Sequence, residues 1–161
     1  AMEARVNAED PSNDFIPTAN QVTHLHLPHQ PFLRIDTHLY QGYHIPDTYD
    51  SLIAKMISWG NTREECRIRL LNGLKELDVG GLGTTCGFHQ SLLINKEFID
   101  GNLSTNFISD QKEYFEKELH QTLDKDKEMI AMAACFLMQQ RSPLMSSSNE
   151  REEIKFNLEE W

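Results

Sequence analysis

The sequence runs to 161 residues, 39% of them hydrophobic, with 25 acids against 15 bases and a formal net charge of −10. That length supports one domain of ordinary size, which buries roughly 70% of its unfolded surface, and leaves little room for a second. The acidity argues against nucleic acid or an anionic membrane as partner, because both need a basic face to displace counterions, and no local Lys/Arg cluster supplies one.

The chain opens on Ala1-Met2-Glu3-Ala4-Arg5-Val6-Asn7, which reads as mid-strand sequence with no turn leading in, as an excised piece of a longer chain would. Residues 2–7 are expected to form a short strand, and the Pro, Asn and Asp residues of 8–14 a turn. Gln21 to Leu27 alternates apolar and polar residues, and Phe32 to Tyr40 repeats the pattern, so two half-buried strands that pair with each other are predicted. Ser51 to Trp59 is richer in apolar residues and fits a mostly buried strand, with a short helix as the alternative.

From Thr62 the period changes. Cys66, Leu70, Leu74 and Leu77 recur at helical spacing, and Thr62 stands three residues before Glu65 as in a capping box, so a helix is predicted over 62–77. Gly80, Gly81 and Gly83 mark a loop, followed by a helix over 84–94 and a shorter one over 97–101. Residues 110–161 hold 12 acids and 7 bases and no glycine, which doubles the charge density and sets a boundary after 109. Residues 111–140 read as one long helix with Met129, Ala133, Phe136 and Leu137 on an apolar stripe. Ser142-Pro143 should end it, 146–149 form a flexible link, and 150–161 begin something further.

Several residue groups could carry chemistry. His24 and His26 lie two apart on a predicted strand and so share a face; with His29, His38 and His44 they could chelate a metal, or be polar surface residues of two strands. No acid is interleaved in His24-x-His26-x-x-His29, which favours the surface reading and an assignment of no metal. Gly80-Gly-Leu-Gly83 lacks the strand and helix context of a dinucleotide fingerprint and the Lys-Ser/Thr of a P-loop, so a turn is the better reading. Cys86 and His89 could pair as nucleophile and base, but a cysteine at a helix start more often packs. Cys66, Cys86 and Cys135 form no C-x-x-C pair, which points to reduced thiols in a cytoplasmic or mitochondrial-matrix compartment rather than to disulfides or a zinc finger. No apolar run of about 18 residues and no export signal is present. Arg34 lies between Leu33 and Ile35, so on a strand its guanidinium faces away from two apolar neighbours. A fixed fork of donors suits an oxygen that gains negative charge, while an ion pair with Asp36 on the same face is the plainer alternative.

Glu3-Ala-Arg-Val-Asn-Ala-Glu-Asp-Pro11, Leu33-Arg-Ile-Asp-Thr-His-Leu-Tyr-Gln-Gly-Tyr43, Tyr49-Asp-Ser-Leu-Ile-Ala-Lys55, Trp59-Gly60 and Ser104-Thr-Asn-Phe-Ile108 resemble, in order and spacing, the C-terminal domain of biotin carboxylases. The resemblance implies an α+β fold, an antiparallel sheet with flanking helices over 1–109, followed by a long C-terminal helix in a linker of 110–161. It implies part of a ligase that carboxylates biotin with bicarbonate and ATP, incomplete here because ATP and magnesium belong to an ATP-grasp domain outside this stretch. Arg34 matches the arginine of the R-x-[DE]-[ST]-H motif, which in the family faces the biotin ureido oxygen, so both a catalytic and a biotin-binding role fall on it. Two departures stand out: Pro28-His-Gln-Pro-Phe32 replaces a glycine-rich loop, and Gly81-Leu-Gly-Thr-Thr85 replaces Gly-x-Lys-Thr-Asn.

Lys127-Glu-Met-Ile-Ala-Met-Ala-Ala134 resembles, more loosely, the helix after this domain in the α subunits of propionyl-CoA and methylcrotonyl-CoA carboxylases. The implied partners are the ATP-grasp part of the same chain, a biotin carrier domain and a carboxyltransferase subunit. No Met-Lys-Met biotin acceptor occurs, so the biotin would be carried elsewhere in the enzyme and none bound by this stretch alone. The competing reading is an interaction module that docks a partner through the 111–140 helix.

Overall fold

Strand β1 (Met2–Asn7) turns Ala4 and Val6 inward and Glu3 and Arg5 outward, as its alternation dictates. The computed structural model that shows this describes residues 1–141; the predicted helix stop at Ser142-Pro143, the link at 146–149 and the segment 150–161 lie outside the described residues. β1 pairs antiparallel with β6 (Leu52–Ser58), and β6 pairs antiparallel with β5 (Leu33–Thr37), giving the order β1-β6-β5. β6 takes the middle, so its two neighbours satisfy its backbone on both sides, and its apolar run is explained by a central position with Ile53, Ala54, Met56 and Ser58 buried. The strand reading of 51–59 holds over 52–58.

One side of this sheet is covered by α1 (Arg63–Glu76), whose Cys66, Leu70 and Leu74, with Leu77 just beyond, are buried. Full burial of a leucine such as Leu74 contributes about 1.5–3 kcal/mol, so this stripe is the main reason the helix stays on the sheet. Thr62 caps α1 by accepting from the Glu65 amide at 3.1 Å, as predicted. The reciprocal arm of the capping box reaches one residue further: the Glu65 carboxylate accepts from the Asn61 amide at 2.9 Å. Gly73, in the last turn of α1, lets the helix approach β5; a Cβ there would lie 2.6 Å from Leu33 Cδ2. Gly60 is needed for a similar reason at the helix entrance, where a Cβ would stand 2.7 Å from Glu65 Cβ.

The predicted pairing of the 21–27 and 32–40 strands is not observed. β4 (His24–His26) pairs instead with β7 (Asp78–Gly80), and β5 pairs with β6. The connection between β4 and β5 accounts for the difference. A tight hairpin needs primed turns with positive φ, whereas Pro28 and Pro31 fix φ near −65° and remove two donors, so the chain leaves one sheet and enters another. Phe32, the residue before β5, completes the change of direction in a left-handed conformation at φ 65°.

Within the predicted turn at 8–14, β2 (Glu9–Asp10) pairs with β3 (Ile16–Pro17) around Asp14 and Phe15, both left-handed. The helices α2 (Cys86–Ile94) and α3 (Lys96–Asp100) follow the predicted 84–94 and 97–101, with Asn95 capping α3 through the Glu97 and Phe98 amides and Gly101 closing it at φ 81°. Buried Arg67 ties α1 to α2: it forms an ion pair with Glu64 and donates to the Leu93 carbonyl at 2.6 Å, satisfying one of the orphan acceptors at the end of α2. That pairing raises the Arg67 pKa and lowers that of Glu64. A short α4 (Phe107–Asp110) and the long α5 (Lys112–Arg141) are the last of the described elements.

Ala1–Leu123 form one compact unit, which holds both faces of the sheet and the core, and the described residues from Asp124 on belong to a second. In the second unit the described residues belong to α5, and Met129, Ala133, Phe136 and Leu137 of the predicted stripe are exposed. The observed class is α+β with antiparallel sheets and a long C-terminal helix, as expected. Among the described residues no helix is long and apolar enough to cross a membrane.

Candidate functional site

The side of the β1-β6-β5 sheet away from α1 carries five charged residues and Ile57 in two cross-strand rows. Register places Glu3, Ile57 and Arg34 in one row and Arg5, Lys55 and Asp36 in the next. Side chains two apart on a strand share a face, so these residues stand together on rigid elements rather than on loops. Arg34 projects here, opposite to half-buried Leu33 and Ile35, as predicted. Its strand is fixed from behind by Leu33 against Gly73 and from below by the Trp59 amide, which donates to the Phe32 carbonyl at 3.1 Å.

The ion-pair reading of Arg34 is visible. The guanidinium donates from Nη2 to Asp36 Oδ2 at 2.9 Å, yet the Arg34 side chain remains 71% exposed. An ion pair this open contributes about 0–1 kcal/mol, and it leaves the other guanidinium donors free to face a ligand.

The other sequence candidates separate. Among the described residues no group of three or more His, Cys, Asp or Glu is placed to hold a metal ion. His24 instead lies 3.4 Å from Asp78 on the neighbouring strand, His38 packs edge-on against Tyr43, and His44 forms a bridge with Gln21. Gly80 to Gly83 is a turn rather than a phosphate cradle: Gly81, at φ 99°, passes so close to the Gln21 carbonyl that a Cβ would stand 2.3 Å from it.

Cys86 and His89 do not pair. Cys86 is part of the core, and burial pushes its thiol pKa up, which disfavours the thiolate that a nucleophile needs. His89 Nε2 lies 2.8 Å from the Arg5 carbonyl oxygen, so a neutral ring with its proton on Nε2 buttresses β1 behind the charged face. Burial, the larger cause, lowers the His89 pKa, and the bond to Arg5 opposes it. The folded state therefore binds a proton at His89 less readily than the unfolded chain, and stability falls as pH drops below the unfolded value of about 6.5. His89→Gln should flatten the fall in Tm between about pH 7.5 and 5.5. An equally steep fall in the variant would show that other groups govern it.

The residues that sequence reasoning left without a role are Arg5 and Lys55. Both stand inside the matched motifs, and the only local signal is a cation at an alternate position of a strand. Their place beside Arg34 depends on which strands pair.

The comparisons with known proteins agree with this architecture. The family profile described as biotin carboxylase C-terminal domain matches residues 3–110. A biotin carboxylase of Nostoc sp. is 44% identical over 110 residues, covering 68% of this chain and 25% of the relative, and a pyruvate carboxylase subunit of Methanothermobacter thermautotrophicus is 35% identical over 130 residues, covering 81% and 26%. Among solved structures, the biotin carboxylase domain dimer of Hydrogenobacter thermophilus 2-oxoglutarate carboxylase, in complex with MgADP, ADP and bicarbonate, superimposes with a TM-score of 0.68 at 31% identity, covering 70% of this chain and 25% of that one. A biotin carboxylase from Campylobacter jejuni gives 0.64 at 36% identity, covering 66% and 24%. The chain thus spans about a quarter of the length of these relatives. With the profile matching residues 3–110 and a relative 44% identical over 110 residues, the chain belongs to the biotin carboxylase C-terminal domain family.

Proposed function

We propose that this stretch forms the biotin-facing wall of a biotin carboxylase and that Arg34 is its catalytic, biotin-binding residue. The observation that carries the reading is the position of Arg34: a permanently charged fork on a strand held at its start by the Trp59 amide on the Phe32 carbonyl and at its end by the Thr37 hydroxyl on the Ile53 carbonyl, exposed on the open sheet face, within the matched Arg34-Ile-Asp-Thr-His38 motif. Donors fixed in advance cost no reorganisation when negative charge gathers on a ureido oxygen, and that is when they contribute most. Asp36, on the same face, keeps the guanidinium aligned along the strand.

In this reading nucleotide, magnesium and bicarbonate are held by an ATP-grasp part of the full-length chain, so these residues alone do not carboxylate. The biotin arrives on a carrier domain, and a carboxyltransferase subunit sets the final acceptor. The tail supports the α subunit of an acyl-CoA carboxylase through Lys127 to Ala134. A match over 130 of 161 residues necessarily runs past residue 110, so a comparable tail also follows this domain in the pyruvate carboxylase relative.

A titration of free biotin tests the site directly, using this chain and the same chain joined to its ATP-grasp part, each with an Arg34→Ala control. Binding in the joined form that disappears with Arg34→Ala supports a divided active site. Binding that ignores Arg34 in both forms leaves this stretch a scaffold.

A second reading rests on α5. Met129, Ile130, Met132, Phe136 and Leu137 are all 60% exposed or more, an unusual amount of apolar surface for one helix segment. If that surface docks a partner of the larger assembly, the isolated chain should self-associate through it in light scattering, and Phe136→Ser should reduce the association. A monomer at high concentration would sink this reading.

A further inference from the structure

The exposed charged face holds an imbalance that its ion pairs do not resolve. Arg34 takes Asp36 at 2.9 Å, but Arg5 and Lys55, directly opposite one another on β1 and β6, have no carboxylate within 4.0 Å among the described residues. Like charges facing each other across two strands are unfavourable, so Lys55 gains by leaning away from Arg5. The other side of Lys55 is Asp36, its cross-strand partner on β5. Glu3, diagonal to Lys55 on β1, is the remaining acid of this face. Asp36 and Lys55 also line a common groove of about 300 Å³, where β5 and β6 part beyond Thr37, so space exists for the two side chains to meet.

We propose that Asp36 is shared: it holds Arg34 along the strand while the site is empty and passes to Lys55 when Arg34 turns outward to its ligand. This rests on the role proposed above for Arg34. Were Arg34 to leave without a replacement cation, Asp36 would lose its partner on binding, and ligand affinity would bear the loss of that pair, about 0–1 kcal/mol, which is up to about five-fold in KM. Lys55 removes it. Its flexible four-carbon stem can reach across one strand spacing, whereas Arg5 stands one strand further away. Asp36 and Lys55 are thus positioning residues, acting on biotin only through Arg34.

The test uses the full-length carboxylase and a double-mutant cycle on steady-state kinetics with free biotin. Lys55→Met removes the charge and keeps the stem, and should raise the KM for biotin about five-fold with little change in kcat. Asp36→Asn added to Lys55→Met should bring that KM back most of the way, because a neutral amide needs no cation; a purely structural lysine would not be rescued in this way. Thermal melts of each variant establish that it is folded. A KM unmoved by Lys55→Met, or a double variant no better than Lys55→Met, overturns the exchange. Should Arg34→Ala itself leave turnover intact, it is the biotin role of Arg34 that fails, a result distinct from either of these.

Discussion

Arg34→Ala in the full-length enzyme should lower kcat for biotin carboxylation by about 10²- to 10³-fold, the usual cost of removing one preorganised donor to a developing negative charge. MgATP binding should persist, because the Arg34 side chain takes no part in the hydrogen bonding that shapes the domain beyond the exposed pair with Asp36. The same exposure keeps the stability cost small, so the loss can be read as catalytic rather than as unfolding. Arg34→Lys sharpens the experiment. It keeps the charge but gives up the planar fork, and should recover only part of the rate. Assays of biotin-dependent phosphate release over a range of biotin concentrations separate the two contributions. Undiminished turnover in Arg34→Ala would remove the residue from the mechanism.

Gly81→Ala should cost about 3 kcal/mol of folding free energy, combining the left-handed backbone penalty with forced overpacking. The position has φ 99°, and an added Cβ would lie 2.3 Å from the Gln21 carbonyl, a backbone atom that cannot rotate aside. Relief would require pulling the Asn20 to Thr23 segment away from Gly80 and Gly81. Two hydrogen bonds would be lost with it, from the Asn20 side chain to Gly81 O at 2.9 Å and from the Thr23 amide to Gly80 O at 2.9 Å. Gly42→Ala is the matched control: its φ is 93° but nothing lies within 4 Å of the added atom, so only the backbone penalty of about 1 kcal/mol remains. Urea unfolding of the two variants should show Gly81→Ala with a midpoint well below that of Gly42→Ala and similar m-values. Equal midpoints would mean that the Gln21 loop yields freely.

What the sequence determined by itself is the set of elements with strong local periodicity or strong end signals. Cys66, Leu70, Leu74 and Leu77 recur at the helical period behind a threonine cap, and α1 appears within a residue of its predicted bounds. The alternation around Arg34 likewise decided which way its side chain points, since neighbours on a strand must face opposite sides. Resemblance in five ordered motifs then suggested the role proposed for Arg34, which periodicity alone could not, because an arginine beside an aspartate reads first as a surface ion pair.

Only the tertiary structure decided the partners. Strand pairing is a contact between distant residues, and the alternation of 21–27 says that a strand has one buried face without saying which neighbour it takes; β7, more than fifty residues later, was not visible from there. The same reason hid Arg5 and Lys55. Each is an ordinary charged residue in its own strand, and they join Arg34 and Asp36 on one face because β6 lies between β1 and β5 in a register that chain order does not reveal. The histidine grouping broke up for the converse reason: His24 and His26 stay together on β4, while His38 and His44, close in sequence, lie after β5, beyond two prolines and a left-handed phenylalanine. Local patterns fix where backbone hydrogen bonds are made within an element, but a site assembled across strands is fixed by long-range register, and register is set by how the whole core packs.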